Sequence, residues 1–313
     1  MATIEKHDAV RRSSEVPAAP EGPPAGRPVR RDKNGGRWRR PVVTVLLVLV
    51  SCLFLYPFAW LLAASFKPKG QVFDNRLWPE TFQPHNYVEV FQQLPVGNWL
   101  FNSLGIALLA AVSVAVSSSI VAFGFAYFRF PGRNFLFVLV LATMMLPGAV
   151  TLVPNYLIWQ HLGLVGTWVP LFAMNLFGSA FYIFLQRQFY MGLPRELFEA
   201  ARVDGASYWR MFWKIVMPLS IPSFVIVFVF EFQASWNNLQ AALIYLNAGS
   251  PEKFTAPLGI AYAMTKYAPG NGGQGDYQYV MVAALLVTIP MLIIFAFAQR
   301  HFVEGIATTG RKG

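Results

Sequence analysis

"FEAARVDGASYWRMFWKIVMPLS" occupies Phe198 to Ser220, between two long apolar stretches of the chain. It is too polar to cross a bilayer, yet Trp209, Phe212 and Trp213 make it too apolar for an ordinary solvated loop. The residues read as two short helices joined at a glycine. Pro194 suits the first turn of a helix, and Glu196 and Glu199 lie near its positive end. Asp204 and Gly205 stop that helix, glycine being the usual residue where a chain turns left-handed after one. Ser207 is placed to cap the second helix. There Trp209, Phe212, Trp213 and Val216 fall at i, i+3, i+4 and i+7, one apolar face, with Arg210 and Lys214 opposite. Pro218 ends it.

Two environments suit this segment. An amphipathic connector resting on lipid headgroups accounts for the second helix. It does not account for the first, where Glu199, Ala200, Ala201, Asp204 and Gly205 combine exposed acids with small side chains. Such residues permit close backbone approach and offer partners to Arg or Lys, the chemistry of a projecting knob seated in a protein cleft. A cytosolic protein partner is the expectation.

The rest of the chain sets that knob in a membrane. Of its 313 residues 55% are hydrophobic and 13% charged, against about 25% charged in soluble domains. The run from Pro41 to Phe66 holds no charge, and about 20 helical residues cross a ~30 Å hydrocarbon core. It is too long for a signal-peptide core, so an uncleaved span is expected. Further spans are expected at 100–127, 134–154, 166–186, 219–245 and 278–299, six in all. Pro147 and Pro154 should kink or end the third.

Alternating the loops between the two sides tests that count. With the amino terminus inside, 20 of the 25 Lys and Arg residues fall on inner segments. The outer ones keep Lys67, Lys69, Arg76, Lys253 and Lys266, the asymmetry of the positive-inside rule. Both termini and the opening segment are therefore expected in the cytosol, on a chain in the cytoplasmic membrane. Residues 1–40 carry ten of the basic residues among Pro, Ala and Gly and read as a disordered tail. That distribution, a tail rather than a folded basic face, argues against nucleic acid as a partner. Residues 41–304 form the membrane domain and 305–313 a cytosolic tail.

Enzymatic chemistry finds little support. Cys52 is the only cysteine, so no intramolecular disulfide, four-cysteine zinc site or CxxC motif is possible. His7, His85, His161 and His301 are scattered, without HExxH spacing, and no Walker A sequence occurs. Gly270, Gly272 and Gly275 match GxGxxG in form, but a span follows instead of a soluble helix, so an external turn is the better reading.

Here a resemblance becomes specific. Glu199, Ala200, Ala201, Asp204, Gly205 and Ala206, with Ile215 and Pro218 beyond, resemble the EAA motif of ATP-binding cassette importer permeases. Met217 stands where the family pattern has Leu. "SFKP" at Ser65 to Pro68, "NSL" at Asn102 to Leu104, "MMLPG" at Met144 to Gly148 and "SWNN" at Ser235 to Asn238 are similar to carbohydrate-importer permeases. They are most like the maltose-type subunit that pairs with a second, longer permease. The resemblance covers Tyr56 to the carboxyl terminus. It implies an all-α type I permease fold of six transmembrane helices, with residues 187–217 as the coupling loop. It implies a second permease subunit, two ATPase subunits that bind the ATP and Mg, and an extracytoplasmic sugar-binding protein. No cofactor is expected on this chain. Asn238 replaces the Asp or Glu common in the family, so a role for that acid does not carry over.

Within the spans, Glu231 is an acid about twelve positions past Leu219. A charge there costs ~2.5 to 3.5 kcal/mol on insertion scales, so it should face a cavity or a partner. Glu231, Trp236, Asn237 and Asn238 are candidates for a sugar path, with a structural acid and an interfacial tryptophan as the alternatives. Met144, Met145 and Pro147 are candidates for a gate, or for ordinary helix packing. A secondary transporter would need coupling-ion sites and usually inverted repeats. A channel would pass solute without ATP.

Overall fold

The computed structural model describes residues 39–74, 76–246, 249–268 and 275–309, and all their regular structure is helical. The tail expected over 1–40 lies almost wholly outside them, as do residues 310–313 and most of the glycine-rich external turn. Two compact units, 1–55 and 56–313, are taken separately. The described part of the first is the amino-terminal half of α1 (Arg39–Ser65), apolar on every side, as a membrane-spanning helix is.

The second unit holds the end of α1 and everything after it. In chain order these are α2 (Asn86–Gln93), α3 (Val96–Tyr127), α4 (Arg133–Thr143), α5 (Gly148–His161) and the single turn α6 (Val169–Phe172). A 3₁₀ turn at Ala173–Phe177 leads to α7 (Ala180–Met191), α8 (Arg195–Val203) and α9 (Tyr208–Met211). A π turn at Phe212–Val216 joins α9 to α10 (Met217–Leu219) and α11 (Ile221–Trp236). Then come α12 (Leu239–Leu246), a 3₁₀ turn at Pro251–Lys253, α13 (Ala256–Tyr267) and α14 (Tyr277–Thr309).

Helix α3 is the axis of packing, with α7 and α11 along it and α14 against α11. The sequence explains why. Ser103, Ala107, Ala111, Ala115, Ser118 and Ala122 recur three or four residues apart and are all buried. Lipid gives helices no hydrophobic reason to associate, so close backbone contact through small side chains does that work. Phe232 and Trp236 of α11 pack at Ala107 and Ala111, and Tyr182 of α7 with Val227 of α11 at Val114 and Ala115.

Helices α2, α12 and α13 cap this bundle at the amino-terminal end of α3, around Trp99, Leu246 and Leu258. The motifs "NSL" and "SFKP" are the clasps. Asn102 Nδ2 donates to the carbonyls of Glu252 (2.8 Å) and Phe254 (3.0 Å), and Ser103 Oγ accepts the Ala256 N–H at 2.7 Å. In "SFKP", Ser65 Oγ meets the Tyr87 hydroxyl at 2.8 Å, and Asn86 Nδ2 donates to the carbonyls of Ser65 and Lys67. Lys67 is buried; its Nζ pairs with the Asp74 carboxylate and donates to the Arg76 carbonyl at 2.6 Å.

That hydrogen bond from Lys67 holds the Asp74 carboxyl below the usual aspartate range, burial opposing it. The contribution is thus fully present above the unfolded-state value and is lost as pH falls through the lowered one. Asp74→Asn is expected to lower the thermal midpoint at neutral pH, with the gap to wild type closing in acid. A gap constant with pH would contradict this.

Among the described residues, four stretches are long and apolar enough to span a membrane: Pro41–Ser65, Val96–Tyr127, Val169–Met191 and Tyr277–Gln299. Two bent pairs bring the number to six where each is one span: Arg133–Thr143 with Gly148–His161 at 91° and Tyr208–Leu219 with Ile221–Trp236 at 79°. The third expected span is therefore sharply broken. The expected continuous span 219–245 is corrected: α11 has 16 residues, about 24 Å at 1.5 Å each, and the chain breaks at Asn237 and Asn238. The fourth is interrupted too, between the 3₁₀ turn and α7, where Ser118 Oγ accepts the Ser179 N–H at 3.1 Å.

Candidate functional site

The knob is built as its residues predict. Glu196 occupies the first turn of α8 and Arg202 the last, the arrangement the helix dipole favours. The helix ends with Asp204 as cap and Gly205 left-handed at φ +73°. The Ala206 N–H donates to the Ala201 carbonyl at 2.9 Å, and the Gly205 N–H to the Arg202 carbonyl at 3.0 Å. This crossed pair is the Schellman closure that a C-terminal glycine makes possible. It turns the chain within two residues.

A single ring anchors α8 to the bundle. Phe198 is buried, its centroid 5.2 Å from Tyr127 and 6.5 Å from Phe123 at the end of α3; burying such a side chain is worth about 1.5 to 3 kcal/mol. The six predicted coupling residues divide accordingly. Ala201 and Ala206 turn inward against the same cluster. Ala200, Asp204 and Gly205 are exposed, and so is Glu199, which lines a cleft between α8 and the ends of α3 and α7. Val203, which the sequence reading did not single out, is 88% exposed beside them.

The second helix differs from its expected wheel. Ser207 caps it, Oγ accepting the Arg210 N–H at 3.3 Å. The π turn then shifts the phase, since its backbone bonds reach five residues instead of four; the Met217 N–H donates to the Phe212 carbonyl. Met211, Phe212 and Val216 are buried, whereas Trp209 and Trp213 are 59% and 40% exposed. The expected apolar face thus loses both tryptophans and gains Met211. Trp209 stacks on Phe212, and Trp213 meets both of them edge-on, with centroids 5.1 to 5.9 Å apart.

Within the spans, Glu231 is half-buried and accepts a hydrogen bond from Asn175 Nδ2 at 2.5 Å. Asn175 lies in the 3₁₀ turn that interrupts the fourth span, so the acid ties α11 to that irregular stretch. Glu231→Gln keeps an acceptor for Asn175 and is expected to leave stability within about 1 kcal/mol. Glu231→Ala strands a donor and should cost about 1 to 3 kcal/mol. Thermal unfolding in detergent compares the two, and equal losses would sink this assignment.

Trp236 is 2% exposed and stacked on Phe232 at 5.6 Å. Its ring is taken up by the core at the small-residue stripe of α3. Asn237 caps the end of α11, with Nδ2 on the Gln233 carbonyl at 2.9 Å. Asn238 Oδ1 accepts the Ala241 N–H at 3.0 Å and so starts α12. Asn and Asp are nearly equal as N-caps, so this position keeps its structural work without the acid. Met144 and Met145 are exposed at the bend between α4 and α5, and Pro147 begins α5 in extended conformation. Among the described residues no hydrogen bond or ion pair joins this bend to Glu231 or to the Asn237–Asn238 break.

Residues 116–308 match the family described as binding-protein-dependent transport system inner membrane component. The chain is 32% identical to the arabinooligosaccharides transport system permease protein AraQ of Bacillus subtilis, covering 88% of this chain and 96% of that one. It is 31% identical to the osmoprotective compounds uptake permease protein GgtD of Synechocystis, over 86% and 91%. It is 30% identical to the lactose transport system permease protein LacG of Rhizobium radiobacter, over 83% and 92%. Its fold is similar to a chain of a bacterial ABC transporter involved in import of the acidic polysaccharide alginate, with TM-score 0.72, 23% identity and coverage of 86% and 98%.

Proposed function

We propose, from the premise that this chain belongs to the family of binding-protein-dependent transport system inner membrane components, that it is one of two permease subunits of an ATP-driven sugar importer. The observation that carries the coupling role is the knob: a short helix nailed to the bundle by Phe198, closed at Gly205, presenting Ala200, Val203 and Asp204 outward. A projection this firmly attached transmits displacement rather than absorbing it.

In this reading a separate pair of ATPase subunits binds ATP and Mg and seats the knob in a groove. Closure of that pair moves α8, and Phe198 passes the movement to α3 and so to α7 and α11. The 91° break at Met144–Pro147 supplies a place where spans rearrange without bending a continuous helix. Helix α5 buries no residue within this chain, which suits a second permease lying against it. The basic knob segment faces the cytosol, and the outer cap receives the solute-binding protein.

Sugar is favoured as cargo by AraQ and LacG, while GgtD makes an osmoprotective solute the second reading. Reconstitution with the ATPase, the sister permease and the binding protein tests both. ATP-dependent uptake of an oligosaccharide is expected. Uptake without ATP would reject an importer of this kind, and uptake of a compatible solute alone would reject sugar.

A further inference from the structure

Beside the knob lies a cleft of about 560 Å³ whose walls carry Arg129, Arg133, Arg187, Arg195 and Arg202. Glu199 is the one carboxylate among its lining residues. Among the described residues, no ion pair includes any of these five arginines. Five like charges around one concavity are mutually repulsive, and an anion in the cleft relieves that repulsion.

Two of the five are held in place. Arg133 Nη1 donates to the Phe128 carbonyl at 3.3 Å, and the Arg187 guanidinium lies 4.1 Å over the Phe137 ring. Each guanidinium has five N–H donors in a fixed fork, so most stay available for bidentate contact with phosphate. Arg129 and Arg133 follow the end of α3, and Arg187 lies one turn before the end of α7. This is the inner boundary of the spans, where basic pockets between helices hold lipid headgroups.

We propose that this cleft binds the phosphodiester headgroup of an anionic glycerophospholipid. The adjoining surface decides for lipid over free phosphate. Arg129 and Arg133 also line a groove with Phe130 and Phe135, and from there Phe135, Val138 and Leu139 of α4 stay exposed at i, i+3 and i+4. An acyl chain lying on that apolar strip leaves its headgroup among the arginines.

The test is native mass spectrometry of the purified full-length chain in detergent, titrated with cardiolipin, phosphatidylglycerol or phosphatidylcholine. The anionic lipids are expected to bind and phosphatidylcholine not. Arg133→Gln with Arg187→Gln should weaken cardiolipin about 30-fold, the equivalent of roughly 1 kcal/mol for each arginine. Arg210→Gln with Lys214→Gln, outside the cleft, should change it little. Should the first pair melt early, Arg133→Lys with Arg187→Lys is read instead, with a smaller but clear loss because the fork is gone. Equal weakening by both Gln pairs means general surface charge and overturns the site. Displacement of lipid by millimolar inorganic phosphate assigns the cleft to a free anion. Unchanged lipid affinity overturns the proposal too, and coincident loss of ATPase copurification would assign the arginines to protein contact.

Discussion

Gly205→Arg is expected to reduce ATP-driven uptake to background while leaving the membrane body folded. Nothing lies within 4 Å of a Cβ built at Gly205, so any side chain there projects into open space. Its φ of +73° costs an ordinary residue about 1 to 2 kcal/mol, too little to unfold the bundle. The damage falls on whatever the knob must enter. A long cation beside Asp204 and Val203 would block the proposed groove, which must accept small side chains. Gly205→Asn is the control, because asparagine tolerates the left-handed turn and stays short. It should keep most uptake. Equal loss in both variants would mean that backbone strain, not docking, explains the effect.

The second large effect lies at the opposite end of the molecule. A Cβ on Gly259 would sit 2.1 Å from Trp99 Cδ2, far inside contact distance. Trp99 has no room to yield: it is fully buried, and its Nε1 donates to the Pro251 carbonyl at 2.8 Å. Gly259→Ala is therefore expected to cost about 3 kcal/mol, the upper end of ordinary overpacking. The cap of α2, α12 and α13 should lose its fit to the bundle. Adding Trp99→Leu vacates the space, so the double variant should be less destabilised than the sum of the two. Strictly additive losses in thermal unfolding would show that the two residues do not meet.

These cases mark what the sequence disclosed. Apolar run lengths located most of the candidate spans, because a helix needs about 20 apolar residues to cross a hydrocarbon core. The α8 turn was readable at Gly205 since few residues other than glycine adopt that conformation. Tertiary partners were not readable. Glu231 stood out as a charge in a span, but Asn175, its hydrogen-bond partner, sits 56 positions away in a turn with no acid or base to flag it. Trp236 suggested a sugar platform, yet the small stripe of α3 makes room to bury its ring. The π turn moved Met211 into the core and both tryptophans out of it, a phase change no 3.6-residue wheel anticipates. Val203 escaped notice because an exposed valine is ordinary until its neighbours form a projecting surface.

The measurement closest to the central claim is disulfide or maleimide cross-linking from position 203. Cys52, the sole native cysteine, is replaced by serine and Val203 by cysteine, in a chain coexpressed with its ATPase. Modification of Val203→Cys should yield a covalent adduct with the ATPase subunit. Ala201→Cys, which turns inward against the Phe198 cluster, should yield none. An adduct from position 201 but not 203, or none from either in a transport-competent complex, would contradict coupling through α8.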